Sequence, residues 1–543
     1  MTVNSNDKHM QKNYGNYLFK RLRGGKQSNL IKRHIFTIVL MFLVSILLIM
    51  FIKGKPQGSK FYYQKQLDTV LGGPFEQSIS AGRYALTASI MQDHSLTLSK
   101  SLAKFSSPDV VLYKKKFISV FTPGISFLGV PFYALGQLVA LPQLFSYLPI
   151  LLTSIANIFL IMVLSKRVGS DYYTGLFAGL IFIFGTNALA YTFTFTQHTT
   201  STMLILLALI NATEKRTLFN DIIFGAIYGI SPIIDVPNVI LLAPIGIYIL
   251  LKHLYVSPSI REIIFSLKKT SIGLLIGCLP FLLLFGWYNY ATTGSATKIA
   301  QLIGNTNYFT VAVQNKTVQR NAPVKLEKGT LPPVGIDIPF KTRNLLNGIY
   351  ILLLSDERSW IYYCPIVLLG IFGIWKAYGH DTKDLITLSV AVILVDILLY
   401  AMFGDPWGGW SFGPRYLIPS AAILCVYIGP LIKAYKKNLI FVILLALLSI
   451  YSVWVNELGA LTTISIPPKE EALALQKPVP YTYAYNQQLL EQSFSSSLFY
   501  HLLLEKIISP KLFLLLLVTL TSTLLGSLYA VILTQKDERK YDL

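Results

Sequence analysis

Hydrophobic residues in this chain fall in long, nearly charge-free runs separated by short polar stretches. They do not alternate as half-buried strands do, and few sit on one face as in a surface helix. A membrane-crossing helix needs about 20 mostly apolar residues. The runs predict spans at 35–52, 147–164, 174–192, 198–213, 219–235, 237–254, 271–290, 360–376, 385–403, 418–433, 439–456 and 512–534. Span 219–235 is short, and Pro232 and Pro237 bracket its end. The expected fold is an all-α polytopic membrane protein of about twelve transmembrane helices, with spans two to seven inside 146–293 and eight to eleven inside 358–456.

Three connections are long enough to carry structure of their own: 53–145, 294–357 and 457–511. In the first, the semi-apolar stretch Pro123 to Leu141 is interrupted by Pro131 and Gly136, which suggests an interfacial or re-entrant helix rather than a span. Arg83, Ile90 and Thr97 recur every seven residues, with Leu86, Ile90 and Leu96 as the apolar side, and predict a helix from about Ser80. A large first outer loop carrying juxtamembrane helices is therefore expected. The other two connections hold Pro323, Pro332, Pro333 and Pro339, and Pro467, Pro468, Pro478 and Pro480; they read as ordered or semi-ordered loops.

Composition narrows the class. Only 13% of the 543 residues are charged, 53% are hydrophobic and the mean hydropathy is +0.54. Soluble domains carry roughly 25% charged residues, so an ordinary cytosolic enzyme is excluded, and so is a disordered chain. The net charge of +21 is a topology signal rather than a nucleic-acid footprint. With both termini cytoplasmic, the inner segments hold 24 Lys/Arg and 10 acids. The tail 1–34 has eight Lys/Arg and one acid with no cleavage site after the apolar run, as in a retained signal anchor; the other tail is 535–543. Of the remaining excess of +7, +6 lies in 53–145. Cys278, Cys364 and Cys425 lie in apolar runs and offer neither a disulfide framework nor metal spacing.

The chemistry-bearing residues gather in the outer connections. The first contains Gly72-Gly73-Pro74-Phe75-Glu76, Gly82-Arg83-Tyr84-Ala85, Asp93-His94, Pro108-Asp109 and Phe121-Thr122-Pro123-Gly124. Tyr288-Asn289 with Thr293-Gly294 closes the seventh span, and Trp407-Gly408-Gly409-Trp410-Ser411-Phe412-Gly413-Pro414-Arg415-Tyr416-Leu417-Ile418-Pro419 opens the tenth. Of these, Gly82-Arg83-Tyr84-Ala85, Phe121-Thr122-Pro123-Gly124, Tyr288-Asn289 with Thr293-Gly294 and the Trp407 to Pro419 block resemble the C-type multi-pass glycosyltransferases, the group that includes protein O-mannosyltransferases and lipid A aminoarabinose transferases. The likeness covers most of the chain as topology and is specific only in the short blocks.

The resemblance implies transfer of a sugar from a polyprenyl-phosphate donor to a glycan, lipid or protein acceptor on the outer face of a plasma membrane, with the bilayer as partner and no nucleic acid. It implies a carboxylate to orient or deprotonate the acceptor hydroxyl and cations to hold the departing phosphate. The family's acidic pair would fall on Ser80-Ala81, so its usual carboxylate is absent. Glu76 is the first replacement expected, Asp109 the second, and Asp93 is expected at the surface. His198, at the outer end of the fourth span, stands where the family usually has an acid and joins them as a catalytic candidate. Arg83, Tyr84, Trp407, Trp410, Arg415, Tyr416 and Asn289 are expected to bind substrate. Aromatic faces suit sugar rings, glycine permits close approach, and Arg415 suits bidentate phosphate binding.

Simpler readings stand beside several of these. Lys114-Lys115-Lys116 is expected to attract anionic lipid; Asn238, with Asp235, begins the sixth span as a polar pair or a helix cap; and Asp356-Glu357-Arg358 is an outer cluster that a local ion pair explains equally well. Asp396, mid-span, requires an internal partner. No Walker loop, dinucleotide fingerprint, zinc motif or nucleophile elbow occurs. The chemistry admits a divalent metal without requiring one. A transporter or flippase of a lipid-linked sugar, or a non-catalytic relative, is the alternative.

Overall fold

The computed structural model describes residues 31, 33–54, 56–57, 60–61, 71–258, 263–303, 342–475 and 477–535. The basic tail before residue 31, the prolines at 323–339 and the C-terminal tail after 535 lie outside the described residues. The chain divides after Ile52 into two units. The first is described through the apolar helix α1 (Arg33–Ile49); everything below concerns the second.

A helix occupies each predicted apolar segment, because in hydrocarbon a chain can satisfy its backbone only within itself. The labelled elements are α2 (Ser78–Gln92), α3 (Gly124–Leu138), α4 (Leu148–Arg167), α5 (Tyr172–Phe184), α6 (His198–Ala212), α7 (Leu218–Ile234), α8 (Asn238–His253), α9 (Ile272–Thr293), α10 (Leu369–Ala377), α11 (Lys383–Ala401), α12 (Ile418–Tyr435), α13 (Leu439–Leu461) and α14 (Pro510–Thr534). Among the described residues, six helical segments are long and apolar enough to cross a membrane. The others are shorter, and two expected spans are broken. Helix α5 ends at Gly185 and resumes at Ala188–Thr192, while Trp360–Tyr363 is separated from α10 by Cys364 and a 3₁₀ turn at Pro365–Leu368. Both breaks are buried in protein, where non-helical backbone at membrane depth is tolerated.

Small residues allow the closest crossings. Gly225 and Gly229 of α7 face Gly273 and Gly277 of α9; a Cβ on Gly277 would sit 2.0 Å from Ile222 O, and one on Gly225 2.2 Å from Leu274 O. The same device joins α10 to α12, where a Cβ on Gly373 would lie 2.0 Å from Tyr427 O. Helix ends carry their own signals. Asp171 and Thr174 form a capping box at α5, and Thr217, Asn438 and Ser509 cap α7, α13 and α14 through side-chain oxygens.

The segment before α4 is ordered around α2 and α3, both of them helices as expected. Helix α2 stops at Gln92, however, so Leu96 and Thr97 lie in the following turn rather than on its face. Val110–Tyr113 and Lys116–Ser119 form an antiparallel hairpin whose tip is Lys114 and Lys115, both at positive φ. Val111 and Ile118 pack with Val120 and Ala300, fastening the hairpin to the residues that follow α9.

Candidate functional site

Five chain segments meet at the ends of the helices that the charge pattern assigns to the outside. Helix α2 supplies Arg83. Its guanidinium is 1% exposed because α2 lies flat against the chain leading into α3; a Cβ on Gly82 would touch the Phe121 ring at 3.0 Å. The Arg83 Cζ sits 4.5 Å from the Phe121 ring centroid and Nη1 donates to Ile79 O at 3.2 Å, while Nε has no partner. One residue beyond Phe121, Thr122 Oγ1 donates to Ile234 O at 3.0 Å, which draws in the end of α7. There Pro232 and Pro237 flank the helix end and Asp235 is extended.

Asp235 is buried, and its Oδ2 accepts from Gln197 Nε2 at 3.0 Å. Gln197 is the residue before α6, and His198 is the first of it. The His198 ring packs edge-on against Tyr191 at 5.1 Å, and its Nε2 is buried without a partner. Asn238 Nδ2 ties α8 to α6 through Ser201 Oγ at 2.9 Å.

The fifth segment is the glycine loop before α12. Gly408, Gly409 and Gly413 have φ of +76°, +61° and +61°, which side-chain-bearing residues rarely adopt. A Cβ on Gly408 would lie 2.8 Å from Arg415 Nε, so glycine there lets the guanidinium approach the backbone. Arg415 lies over Tyr416, its Cζ 5.1 Å from the ring centroid, and Tyr416 stacks parallel on Tyr400 of α11 at 4.2 Å. The loop is braced by Arg358, 0% exposed, which donates to Trp407 O, Ser411 Oγ, Glu357 O, Tyr481 O, Ile466 O and Pro467 O.

The charges are coupled through space. Burial lowers the Arg83 guanidinium to about 10; Asp235 opposes that most strongly, Arg415 reinforces it and Asp109 opposes it. It remains charged at neutral pH. Burial pushes the Asp405 carboxyl up, and the Gly409 N–H and then Arg415 pull it back. The result is two arginines and three carboxylates sharing one neighbourhood. Arg83 Nε, Arg415 Nε, His198 Nε2, Gln197 Oε1 and Asp405 Oδ1 are all buried without partners. Buried polar atoms are ordinarily satisfied, so these atoms are open to partners that the protein itself does not supply. The donors suit a phosphate and the acceptors suit hydroxyl groups.

Five of the ten expected site residues lie in this neighbourhood: Arg83, Asp109, His198, Arg415 and Tyr416. Asp109 Oδ2 accepts from Ser78 Oγ at 2.5 Å. Trp407 enters through its carbonyl, as an acceptor for Arg358 and Ser411. The remaining four have structural partners. The Gly72-Gly73-Pro74 turn does hold Glu76, but it points the carboxylate at Lys53 Nζ (3.1 Å), Gly72 N (2.8 Å), Ile464 N (2.9 Å) and Thr463 Oγ1. Four donors leave Glu76 a buried tie between connections rather than an available base. Tyr84 stacks on Phe75 at 4.4 Å inside an aromatic cluster with Phe105 and Tyr133. Asn289 Nδ2 donates to Ala296 O at 3.3 Å after the end of α9, and Trp410 Nε1 donates to Glu471 at 2.6 Å.

Other expectations resolve as well. Asp93 is exposed. Asp396 finds its internal partner in Ser420 Oγ at 2.5 Å. The 356–358 cluster is not a local ion pair: Arg358 binds carbonyls, Glu357 accepts from Lys469 N at 2.9 Å and Asp356 from Tyr481 OH at 3.0 Å. Among the described residues no group of three or more His, Cys, Asp or Glu could hold a metal ion. Gln197 and Asp405 were not among the expected site residues, and Asp235 was expected only with Asn238, as a polar pair or a helix cap. The signal for Asp235 was its place between two prolines, where the helix must stop.

No family model and no curated protein matches the chain. Solved structures similar to it include two of ArnT from Cupriavidus metallidurans. The apo structure is 10% identical over 91% of this chain and 77% of that one, with a TM-score of 0.44. The structure bound to undecaprenyl phosphate is 11% identical over 91% and 78%, with a TM-score of 0.43.

Proposed function

We propose that this protein is a membrane glycosyltransferase that moves a sugar from a polyprenyl-phosphate donor to an acceptor hydroxyl on the outer face of the plasma membrane. The observation that carries this reading is the pair Arg83 and Arg415, held in one buried neighbourhood with unpartnered guanidinium nitrogens beside Asp235. A phosphate leaving group gains negative charge as its bond to the sugar breaks. Prepositioned cations stabilise that charge more in the transition state than in the ground state. The sequence blocks around Arg83 and Arg415 support the same chemistry. An acceptor attacking opposite the phosphate inverts the sugar's anomeric centre.

The test uses the full-length protein in proteoliposomes of total membrane lipid from the source cell, with products read by mass spectrometry of the glycan and lipid fractions. Arg415→Ala should reduce transfer by about 100-fold or more. Arg415→Lys should restore only part, since an ammonium cannot make the forked contact. Movement of the lipid-linked sugar between leaflets with no new glycosidic product would replace this reading with transport.

A further inference from the structure

The geometry points to Asp235 as the general base that takes the proton from the acceptor hydroxyl, in place of the carboxylate missing at Ser80-Ala81. The inference rests on the glycosyltransferase reading above. It also runs against the simplest use of the residue, because an aspartate flanked by Pro232 and Pro237 reads as a helix terminator.

The other carboxylates near the site each have a structural partner, although Asp405 keeps Oδ1 without one. Glu76 receives four donors. Asp405 is braced by backbone N–H groups of its own glycine loop. Glu357 and Glu471 are held by Lys469 N and Trp410 Nε1. Asp109 is half-buried, bonded to Ser78, and the weakest of the charges that bear on Arg83. Asp235 alone among these combines burial with the strongest attractive coupling to Arg83.

Its setting suits a base. The two prolines fix the backbone, Thr122 Oγ1 pins the carbonyl of the preceding residue, and Gln197 Nε2 orients one carboxylate oxygen. Arg83 and Asp235 interact through space and make no hydrogen bond to each other, so neither neutralises the other by direct contact. The titratable groups facing Asp235 are Arg83 from α2, Arg415 and Tyr416 from the loop before α12, and Tyr400 from α11. His198, beside Arg83 and Arg415, offers an unpartnered Nε2 to the same space.

The step balances without a further reagent. The acceptor oxygen forms a bond to the sugar's anomeric carbon as its proton passes to the Asp235 carboxylate. The bond from that carbon to the phosphate oxygen breaks, and its electron pair leaves with the polyprenyl phosphate between Arg83 and Arg415. The carboxylic acid then returns its proton to water, and nothing is oxidised or reduced.

The experiment compares wild type, Asp235→Asn, Asp235→Glu and Asp109→Asn in the proteoliposome assay across pH. Thermal stabilisation by added polyprenyl monophosphate is measured on the same preparations. Asp235→Asn should lose at least 100-fold in transfer while keeping its melting temperature and its stabilisation by polyprenyl monophosphate. Asp235→Glu should retain measurable transfer. The fall in rate at low pH seen in wild type should be absent from the residual activity of Asp235→Asn. Near-normal transfer by Asp235→Asn, or its loss by Asp109→Asn alone, overturns the assignment and leaves the glycosyltransferase reading standing. Loss of polyprenyl monophosphate stabilisation together with transfer in Asp235→Asn overturns it in favour of a structural role. Absence of transfer by the wild type, with the lipid still bound, overturns the proposed function itself and the base with it.

Discussion

Glu76 and Lys53 are 7% and 0% exposed and lie 3.1 Å apart, with three further donors on the carboxylate. Breaking one side of such a pair strands a buried charge and costs about 3–5 kcal/mol, far more than an exposed pair is worth. Glu76→Gln should therefore lower the thermal unfolding temperature of the purified protein sharply. Adding Lys53→Met should recover part of the loss, because no ammonium is then stranded and the one amide oxygen still accepts from Ile464 N, although the amide NH2 replaces the oxygen that accepted from Gly72 N. A lost activity with unchanged melting would return Glu76 to the catalytic list. The acid and its turn were readable in sequence. Its partners at Thr463 and Ile464 were not, because they lie 387 and 388 residues away. Arg83, Arg415 and His198 were legible for a general reason. A charge placed where an apolar segment ends has few structural excuses. Asp235 was hidden because it had one.

The crossing of α7 and α9 depends on glycine at four positions, none of which has room for a Cβ, unlike glycines elsewhere on the helices. A Cβ on Gly277 would be 2.0 Å from Ile222 O, whereas one on Gly286 of the same helix would meet only Ala296 Cβ, at 3.6 Å. Gly277→Leu must push the two backbones apart and lose packing along the contact, by about 1–3 kcal/mol or more. Gly286→Ala should be neutral or slightly stabilising. Gly526 of α14 meets nothing within 4 Å, so Gly526→Ala should gain about 0.5–1 kcal/mol. Unfolding of the three variants in one detergent separates close approach from simple helix propensity; equal effects at 277 and 286 would contradict the crossing. At this scale the sequence revealed where helices form, because the length of an apolar run determines that. It did not reveal the breaks at 185–187 and 364–365. Hydropathy is blind to backbone geometry, and those breaks stand next to the glycine loop: Gly413 lies against Tyr363 and Asn187.

At the scale of the whole chain, the charge pattern predicts an orientation in the membrane. The segments assigned to the inside hold 24 Lys/Arg against 10 acids, and the outer excess sits almost entirely in 53–145. Every member of the candidate site lies at the opposite ends of the helices from Lys215 and Lys437, the exposed lysines between α6 and α7 and between α12 and α13. The hairpin tip at Lys115 is exposed and continues from Asp109, so it marks the site's side of the membrane. Cysteine reporters can read this directly. Cys364 and Cys425 are buried and Cys278 sits within α9, so replacing the three with alanine gives a clean background. In intact cells a membrane-impermeant maleimide should label Lys115→Cys and leave Lys215→Cys and Lys437→Cys unlabelled until the membrane is opened. The charge rule counts cations near span ends and is insensitive to the long, neutral runs between them; an even number of crossings separates Lys215 from Lys437, so the two must respond alike. Labelling of Lys215→Cys but not Lys115→Cys would turn the protein over, put Arg83, Asp235 and Arg415 on the cytoplasmic face, and require a donor presented from the inside.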